Sequence, residues 1–598
     1  MCGISGIWRN SNSFFDLQSI ERMKLKMSHR GPDGSGTWSS SDQKVILGHN
    51  RLSIIDLSEN GAQPMNRGVY TISFNGEIYN YLEIKHELKN KNLSFSSDSD
   101  TEVLLAAYQT WGADMLQKLD GMFAFAIYDE AKNELFCARD RFGEKPFYYG
   151  FYNGDFYFAS EIKALREIGI DTSINENLLF NYLHFDLVEN PHNQKQTFYK
   201  EINKLKPSHC FIYKGGNQIK QLCYWDITIS DSADISFSEA SNRFKELLNT
   251  SVKRRLRSDV KIGSSLSGGL DSSSIVALVS KLSNENATFS ARFKNFSKDE
   301  GQFIEIVQKK FKTMHYNVNV QEMDLIKDLE RLIYHQEEPF QAGSIYAQYC
   351  VYQQAKKLGV TVMLDGQGAD EFLCGYPKDF QFYVRELINN KPERLRINSL
   401  INTNHSTNTA LNFKDSLFLR SPKTYKFVAS VAKKISNKRP KGIHPDFYAE
   451  FKNKDSPFKQ FTDLKSALKH EMTNQGLEKL LRFADKSSMA HSVEVRLPFL
   501  YHELVEFVFS LPSSYFLQNG WSKAILRTSM SDILPLEITY REDKIGFEAP
   551  QDSWMESNLL KEICRDAEQA LIKNKFITSD YISKWKILIA YKSLFEKQ

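Results

Sequence analysis

A change of texture near residue 214 limits the fold of this chain more than any other feature. Up to about Tyr213, short apolar runs alternate with turn signals, at residues 44–48, 70–74, 123–128 and 155–159. These runs are rich in β-branched and aromatic residues and read as strands. Helical patterns intervene at 79–88 and 101–110. Residues 1–213 are therefore expected to form an α+β domain of packed sheets covered by helices. The polar, turn-rich stretch 214–237 reads as a linker. Beyond it, an amphipathic helix (238–256) leads into a strand (261–266), a glycine turn and a second helix (272–281), and the rhythm recurs at 360–364. Strand, turn and helix in that order predict a parallel α/β sheet over 238–598. Residues 389–459 are basic and polar with weak periodicity, an insertion whose order the sequence leaves open.

In the first half the sharpest residue is Cys2. With Met1 removed, its thiol and free α-amine would share one residue. That amine, with a reference pKa of about 7.7–8, suits a base for its own nucleophile. Gly3 and Gly6 allow close backbone approach. Taken alone, Cys2 reads as readily as a small buried hydrophobe. Further segments add chemistry. Arg30-Gly31-Pro32-Asp33-Gly34 is a tight charged turn, and Arg51-Leu52-Ser53-Ile54-Ile55-Asp56 places an arginine at a strand edge, suited to a bidentate grip on a carboxylate. Asn75 beside Gly76 offers an amide and a main-chain N–H as paired oxyanion donors. Ser99-Asp100-Thr101-Glu102 adds a carboxylate for a substrate ammonium.

In the second half, Ser265-Leu266-Ser267-Gly268-Gly269-Leu270-Asp271-Ser272-Ser273 follows a strand and opens a helix. Glycine-freed N–H groups and a helix N-terminus make an anion cradle, and Asp271 is placed to hold Mg2+ against that anion. The Gly-Lys-Ser/Thr of a Walker loop is missing, so transfer of a terminal phosphate is not its obvious purpose. Leu364-Asp365-Gly366-Gln367-Gly368-Ala369-Asp370-Glu371 repeats the theme at another strand end. Lysines in the stretches 523–527 and 541–547 are candidate counter-charges for pyrophosphate.

The ordered set Met1–Ile4, 30–34, 51–57, 75–80 and 99–102 resembles the class II glutamine amidotransferases, which are N-terminal-nucleophile hydrolases. The later motifs, with 481–490 and 494–500, resemble the pyrophosphate-loop domain of glutamine-hydrolysing asparagine synthetases. The resemblance covers nearly the whole chain except the basic insertion. It implies a four-layer αββα N-terminal domain and a C-terminal parallel sheet of the adenine nucleotide alpha hydrolase type. It implies catalysis by Cys2, Asn75 and Gly76, and glutamine binding by Arg51, Leu52, Ile54, Asn75, Gly76, Glu77 and Asp100. For ATP it implies Leu266, Ser267, Gly268, Gly269, Asp271, Ser272, Ala291, Asp365 and Gly366. Mg2+ would fall to Asp271 and Asp370, and pyrophosphate to Lys523 and Lys544. Position 367, linked to adenylate formation, is usually glutamate, whereas this chain has Gln367; Lys486 stands for the usual arginine and Tyr501 for the usual aspartate. The acceptor therefore stays open between aspartate and another carboxylate such as a sugar uronate. Ammonia must stay unprotonated to react, so the two sites are expected to face each other through a water-poor, apolar route.

Composition sets the remaining bounds. With 77 basic against 73 acidic residues, the net charge of +4 makes no case for nucleic acid. Seven scattered cysteines form no CxxC pair, which argues against a zinc site or a disulfide framework and for a reducing cytoplasm. No secretion signal or membrane-length apolar run is expected. The residues leave the oligomeric state open, a homodimer being one candidate.

Overall fold

The computed structural model describes residues 2–10, 17–232, 234–283, 286–405, 419, 440–452, 458–542 and 547–596. The first half builds two six-stranded antiparallel sheets. One contains β1 (Gly3–Trp8), β2 (Gly34–Ser39) and β3 (Val45–Arg51) beside β8 (Tyr148–Tyr152), β9 (Asp155–Ala159) and β10 (Asn203–Lys204). The other joins β4 (Met65–Arg67), β5 (Tyr70–Ile78), β6 (Gly121–Asp129), β7 (Glu134–Arg139), β11 (His209–Tyr213) and β12 (Leu222–Cys223). A shared core of Ile4, Trp8, Val45 and Leu47 from the first sheet meets Ala124, Ala126, Tyr128 and Leu135 from the second. The outer face of the first sheet packs on the helices Leu17–Lys26 and Ile162–Glu167. That of the second packs on Tyr81–Lys89 and Asp100–Trp111. Strands buried on both faces explain the near-continuous apolar run of β6, where alternation alone would call for polar residues.

The antiparallel sheet runs through β12 into the segment that reads as a linker, and the helix Phe237–Arg255 follows. That helix starts with a capping box, Ser236 and Glu239 bonding reciprocally, and ends on Lys253, Arg254 and Arg255, which suit the negative end of its dipole.

The second half contains a five-stranded, all-parallel sheet in the order β15 (Met314–Asn319), β14 (Ala287–Arg292), β13 (Ile262–Ser265), β16 (Val362–Leu364), β17 (Glu494–Arg496). Chain order runs outward from β13 to one edge and then from β16 to the other. The switch point lies between β13 and β16, where Ser264 pairs with Leu364. Crevices at such points, beyond the carboxyl ends of the strands, are where open parallel sheets bind ligands. Within the 389–459 insertion, helices occupy Lys391–His405 and Pro445–Phe451; most of the rest of it lies outside the described residues.

The halves are joined by more than chain connectivity. The helix Glu176–Phe185 contributes Leu178, Leu179, Tyr182 and Leu183 to a core shared with Leu325, Leu332 and Trp585. Among the described residues no helix is long and apolar enough to cross a membrane.

Candidate active sites

Cys2 immediately precedes β1 and is 7% exposed. Its main-chain N donates to Asn75 Oδ1 at 3.0 Å, across to β5 of the facing sheet. The other end of that amide, Asn75 Nδ2, is buried without a hydrogen-bond partner among the described residues. A buried, unsatisfied donor is costly and is a natural place for an incoming oxygen. The Cys2 thiol faces the Leu52 carbonyl at 4.0 Å. Burial pushes its pKa up, so the resting sulfur keeps its proton and needs a base. Gly76 adopts φ +155°, and a Cβ there would lie 2.1 Å from the Met122 carbonyl oxygen, so the strand reaches this geometry only with glycine.

Beside this pair lies a knot of buried charge. Burial and the carboxylates of Glu494 and Asp100 hold the Glu77 pKa well above its usual range, and Asp100 is raised to about 6, chiefly by burial. Asp100 Oδ2 accepts from the Ile78 N–H at 2.9 Å. The cation nearest Glu77 is Arg496 of β17, at 3.7 Å, and that guanidinium is already bonded to Glu494 at 2.6 Å. Three carboxylates around one guanidinium leave room for a second positive charge, which suits a substrate α-ammonium. Arg51, the residue expected to grip a substrate carboxylate, sits at the end of β3 with its guanidinium held by the turn that follows. Its two terminal nitrogens donate to the Ser58 and Asp56 carbonyls, because the turn after β3 folds back within their reach. Leu52 and Ile54 are buried, and the Ile54 carbonyl accepts from the Asp259 N–H of the second half at 2.9 Å.

At the switch point between β13 and β16 a cavity of about 490 Å³ opens. Its walls bring together Leu266, Ser267, Gly269, Asp271, Ser272, Ala291, Asp365, Gly366, Gln367, Asp370 and Lys523. The two loops touch: a Cβ on Gly366 would come 2.7 Å from the Ser272 N–H, so glycine lets the second loop lie on the first. Gly268 turns from the wall toward Phe303, and its carbonyl accepts from Arg541 at 3.4 Å. Lys544 lies outside the described residues. The helix Leu270–Leu282 points its N-terminus, capped by Gly269, at the cavity.

Charges here are partly offset. The Lys523 ammonium lies 2.5 Å from both Asp271 and Asp370. Burial pulls its pKa down, but those two carboxylates outweigh it and hold it above the ordinary lysine value. Two carboxylates facing one bay, open to phosphate oxygens, fit Mg2+, which takes one or two protein carboxylates and fills its shell with phosphate and water. Asp365 is raised by burial despite bonds from the Gly366 and Gln367 backbone. Gln367 Oε1 is buried and has no hydrogen-bond partner among the described residues.

Other wall residues carry no local motif. Arg527, whose pKa burial lowers to about 10, and the Arg541–Glu300 pair at 2.7 Å reach the cavity from distant segments. Arg527 and Arg541 fall in basic stretches visible in the sequence, whereas nothing marks Glu300.

Two family models match the chain: glutamine amidotransferase domain over residues 1–225 and asparagine synthase over residues 243–584. Asparagine synthetase 1 (glutamine-hydrolyzing) of Bacillus subtilis strain 168 is 30% identical over 609 residues, covering 97% of this chain and 92% of that protein. A putative asparagine synthetase 2 (glutamine-hydrolyzing) of Methanocaldococcus jannaschii is 35% identical over 422 residues, 66% of this chain and 80% of that protein. Amidase chry2 of Gibberella zeae is 26% identical, covering 96% of this chain and 92% of that protein. With matches of this extent, the chain belongs to the asparagine synthetase family, ligases that carry a glutamine amidotransferase domain ahead of an asparagine synthase domain.

Proposed function

We propose that the chain makes asparagine from aspartate, using ATP and the amide nitrogen of glutamine. The observation that carries this reading is the continuity of apolar packing between the two sites. One buried cluster contains Leu52, whose carbonyl faces the Cys2 thiol, with Ile54, Met122 and Phe142, and also Leu266 and Leu270 of the nucleotide cavity. A water-poor seam of this kind keeps ammonia neutral between the place of its release and the place of its use.

In the first site the Cys2 sulfur attacks the glutamine carboxamide carbon. The α-amine exposed by removal of Met1 takes the thiol proton and returns it to the leaving nitrogen as NH3. Asn75 Nδ2 and the Gly76 N–H stabilise the tetrahedral oxyanion. Water then cleaves the thioester, giving glutamate and restoring the thiol. Glu77 and Asp100 hold the ammonium of glutamine, and that contact favours their ionised forms.

In the second site the aspartate side-chain carboxylate attacks the α-phosphorus of ATP, forming an acyl-adenylate and releasing pyrophosphate. Asp271 and Asp370 would hold Mg2+, which when bound supplies neutralising charge to the phosphates. Lys523 then follows the pyrophosphate, and the N–H groups at the start of the helix Leu270–Leu282 face the phosphate oxygens. Ammonia displaces AMP from the adenylate and leaves the amide.

The purified chain, given glutamine, Mg-ATP and aspartate, should yield glutamate, AMP, pyrophosphate and asparagine in equal amounts. Glutamate without AMP would reduce the chain to a glutaminase. AMP formed only with a different carboxylate would keep the mechanism and change the acceptor.

A further inference from the structure

The charged turn at 30–34 reaches farther than a chain reversal requires. Arg30 closes the short helical turn Ser28–Arg30 and is wholly buried. Its Nε donates to the main-chain carbonyl of Cys2 at 3.0 Å. Nη1 donates to Glu161 and to Asp485 Oδ2, both at 2.9 Å, and Nη2 donates to Asp485 Oδ1 at 3.1 Å. The planar fork therefore has three engaged edges: the nucleophile's own backbone, a carboxylate of the same domain, and a bidentate carboxylate from the other domain. Bidentate pairing fixes angle as well as distance. Asp485 is 3% exposed and lies on the helix Leu477–Met489, whose Leu480 and Phe483 line the nucleotide cavity. One helix thus walls the second site and sets the plane of the guanidinium that holds the first site's nucleophile.

We propose that Asp485, a residue of the synthetase domain, is a positioning residue for the Cys2 nucleophile, acting through Arg30, so that the glutaminase is complete only while the helix Leu477–Met489 is docked. This rests on Cys2 being the nucleophile. Losing one side of the fork frees Arg30 to rotate, and the Cys2 carbonyl moves with it. The sulfur then shifts against Asn75 and Gly76, and an offset of about 1 Å in such a constellation costs about 10²-fold. The nucleotide cavity keeps its walls, because Asp485 is not among them.

The test uses the full chain with Asp485→Asn, which keeps the size and removes the charge and half of the fork. Glutamate release should fall about 10²-fold in kcat, with the KM for glutamine changed less than about threefold. AMP formation from aspartate and added ammonium should stay within about twofold of the parent. Arg30→Lys, which keeps charge but not the fork, should reproduce the loss. Unaltered glutamate release in Asp485→Asn overturns the proposal. So does an equal loss with both nitrogen sources, since that marks a general folding contact. Should Asp485→Asn fail to fold, Asp485→Glu decides in the same way, since it retains the charge and displaces the oxygens by one methylene. A Cys2→Ala control separates the layers: if that variant still hydrolyses glutamine, the nucleophile reading falls whatever the Asp485 variants do.

Discussion

The two candidate sites are built on opposite plans. The glutamine site is closed: Asn75 is fully buried, Cys2 nearly so, and each is fixed by hydrogen bonds between two antiparallel sheets. The nucleotide site is open, a cavity of about 490 Å³ at loop ends, with Asp271 and Asp370 side chains 20% and 24% exposed. The closed site leaves a hydrogen-bond donor unsatisfied and crowds carboxylates together. The open site satisfies its carboxylates with Lys523. Small, reactive chemistry rewards preorganisation, since groups held in place need no rearrangement at the moment of reaction. Under the proposed reaction this site takes in ATP and releases pyrophosphate and AMP, so it must exchange partners, and Lys523 offsets part of the charge of its two acids between turnovers.

The contrast breaks most sharply at the two acting groups. Cys2→Ala should lower glutamine-dependent synthesis by at least about 10³-fold while leaving synthesis from added ammonium intact, because in the proposed mechanism the sulfur serves hydrolysis alone. Measuring AMP with each nitrogen source checks it; loss of the ammonium-driven reaction as well would dissolve the division between the sites. Asp271→Asn is the mirror image. AMP formation should fall about 10²–10³-fold, with glutamate release from glutamine kept, since a weakened grip on the phosphates leaves the closed site untouched. Undiminished AMP release would remove Asp271 from the metal site.

How far the sequence reached follows the same division. The turn between β13 and its helix was legible because its signals are local: glycines after a strand, then a helix. The Cys2 constellation was legible through the order of its motifs, although its parts come from the residue before β1, the end of β3, β5 and the start of the helix Asp100–Trp111. Packing partners were not. The amphipathic pattern of the helix Glu176–Phe185 says that one face is buried, and nothing in it says that the face meets Leu325 and Trp585 of the other half. Arg51 reads as a ligand for a carboxylate because arginine suits one, and nothing in the sequence says that the turn at Asp56–Ser58 also brings carbonyls within its reach. Arg30 and Asp485 stand 455 positions apart, a separation at which no pattern in one chain reports contact.

A subtler contrast lies in what each site gives up in stability. Asp100 is raised to about 6 from an ordinary 3.8, chiefly by burial. Between those values the folded chain holds a proton that the unfolded chain has lost, so stability falls as pH rises through that window, and at neutral pH the ionised group is a burden. Asp100→Asn should therefore raise Tm by roughly 1–3 °C at pH 7 while raising the KM for glutamine about tenfold, the loss of one ammonium contact. In the parent, the glutamine KM should climb as pH drops below about 6, and in the variant that dependence should flatten. A variant that is less stable and binds glutamine normally would show that Asp100 is structural.

The smallest effect is expected at position 367, where it sharpens the open site. Gln367 Oε1 is buried and meets no donor among the described residues, so it is placed to accept from a bound acceptor. A carboxamide takes that hydrogen bond but cannot take a proton, whereas a carboxylate does both. With aspartate as acceptor, Gln367→Glu should raise the rate of AMP formation about two- to fivefold and leave glutamate release unchanged. The gain stays small because Asp365 and Asp370 already crowd the bay with negative charge, which raises the cost of ionising another acid there. A fall in AMP formation with aspartate, glutaminase held constant, would mean that the cavity is matched to a neutral group at 367, and the search for the acceptor would move to other carboxylates.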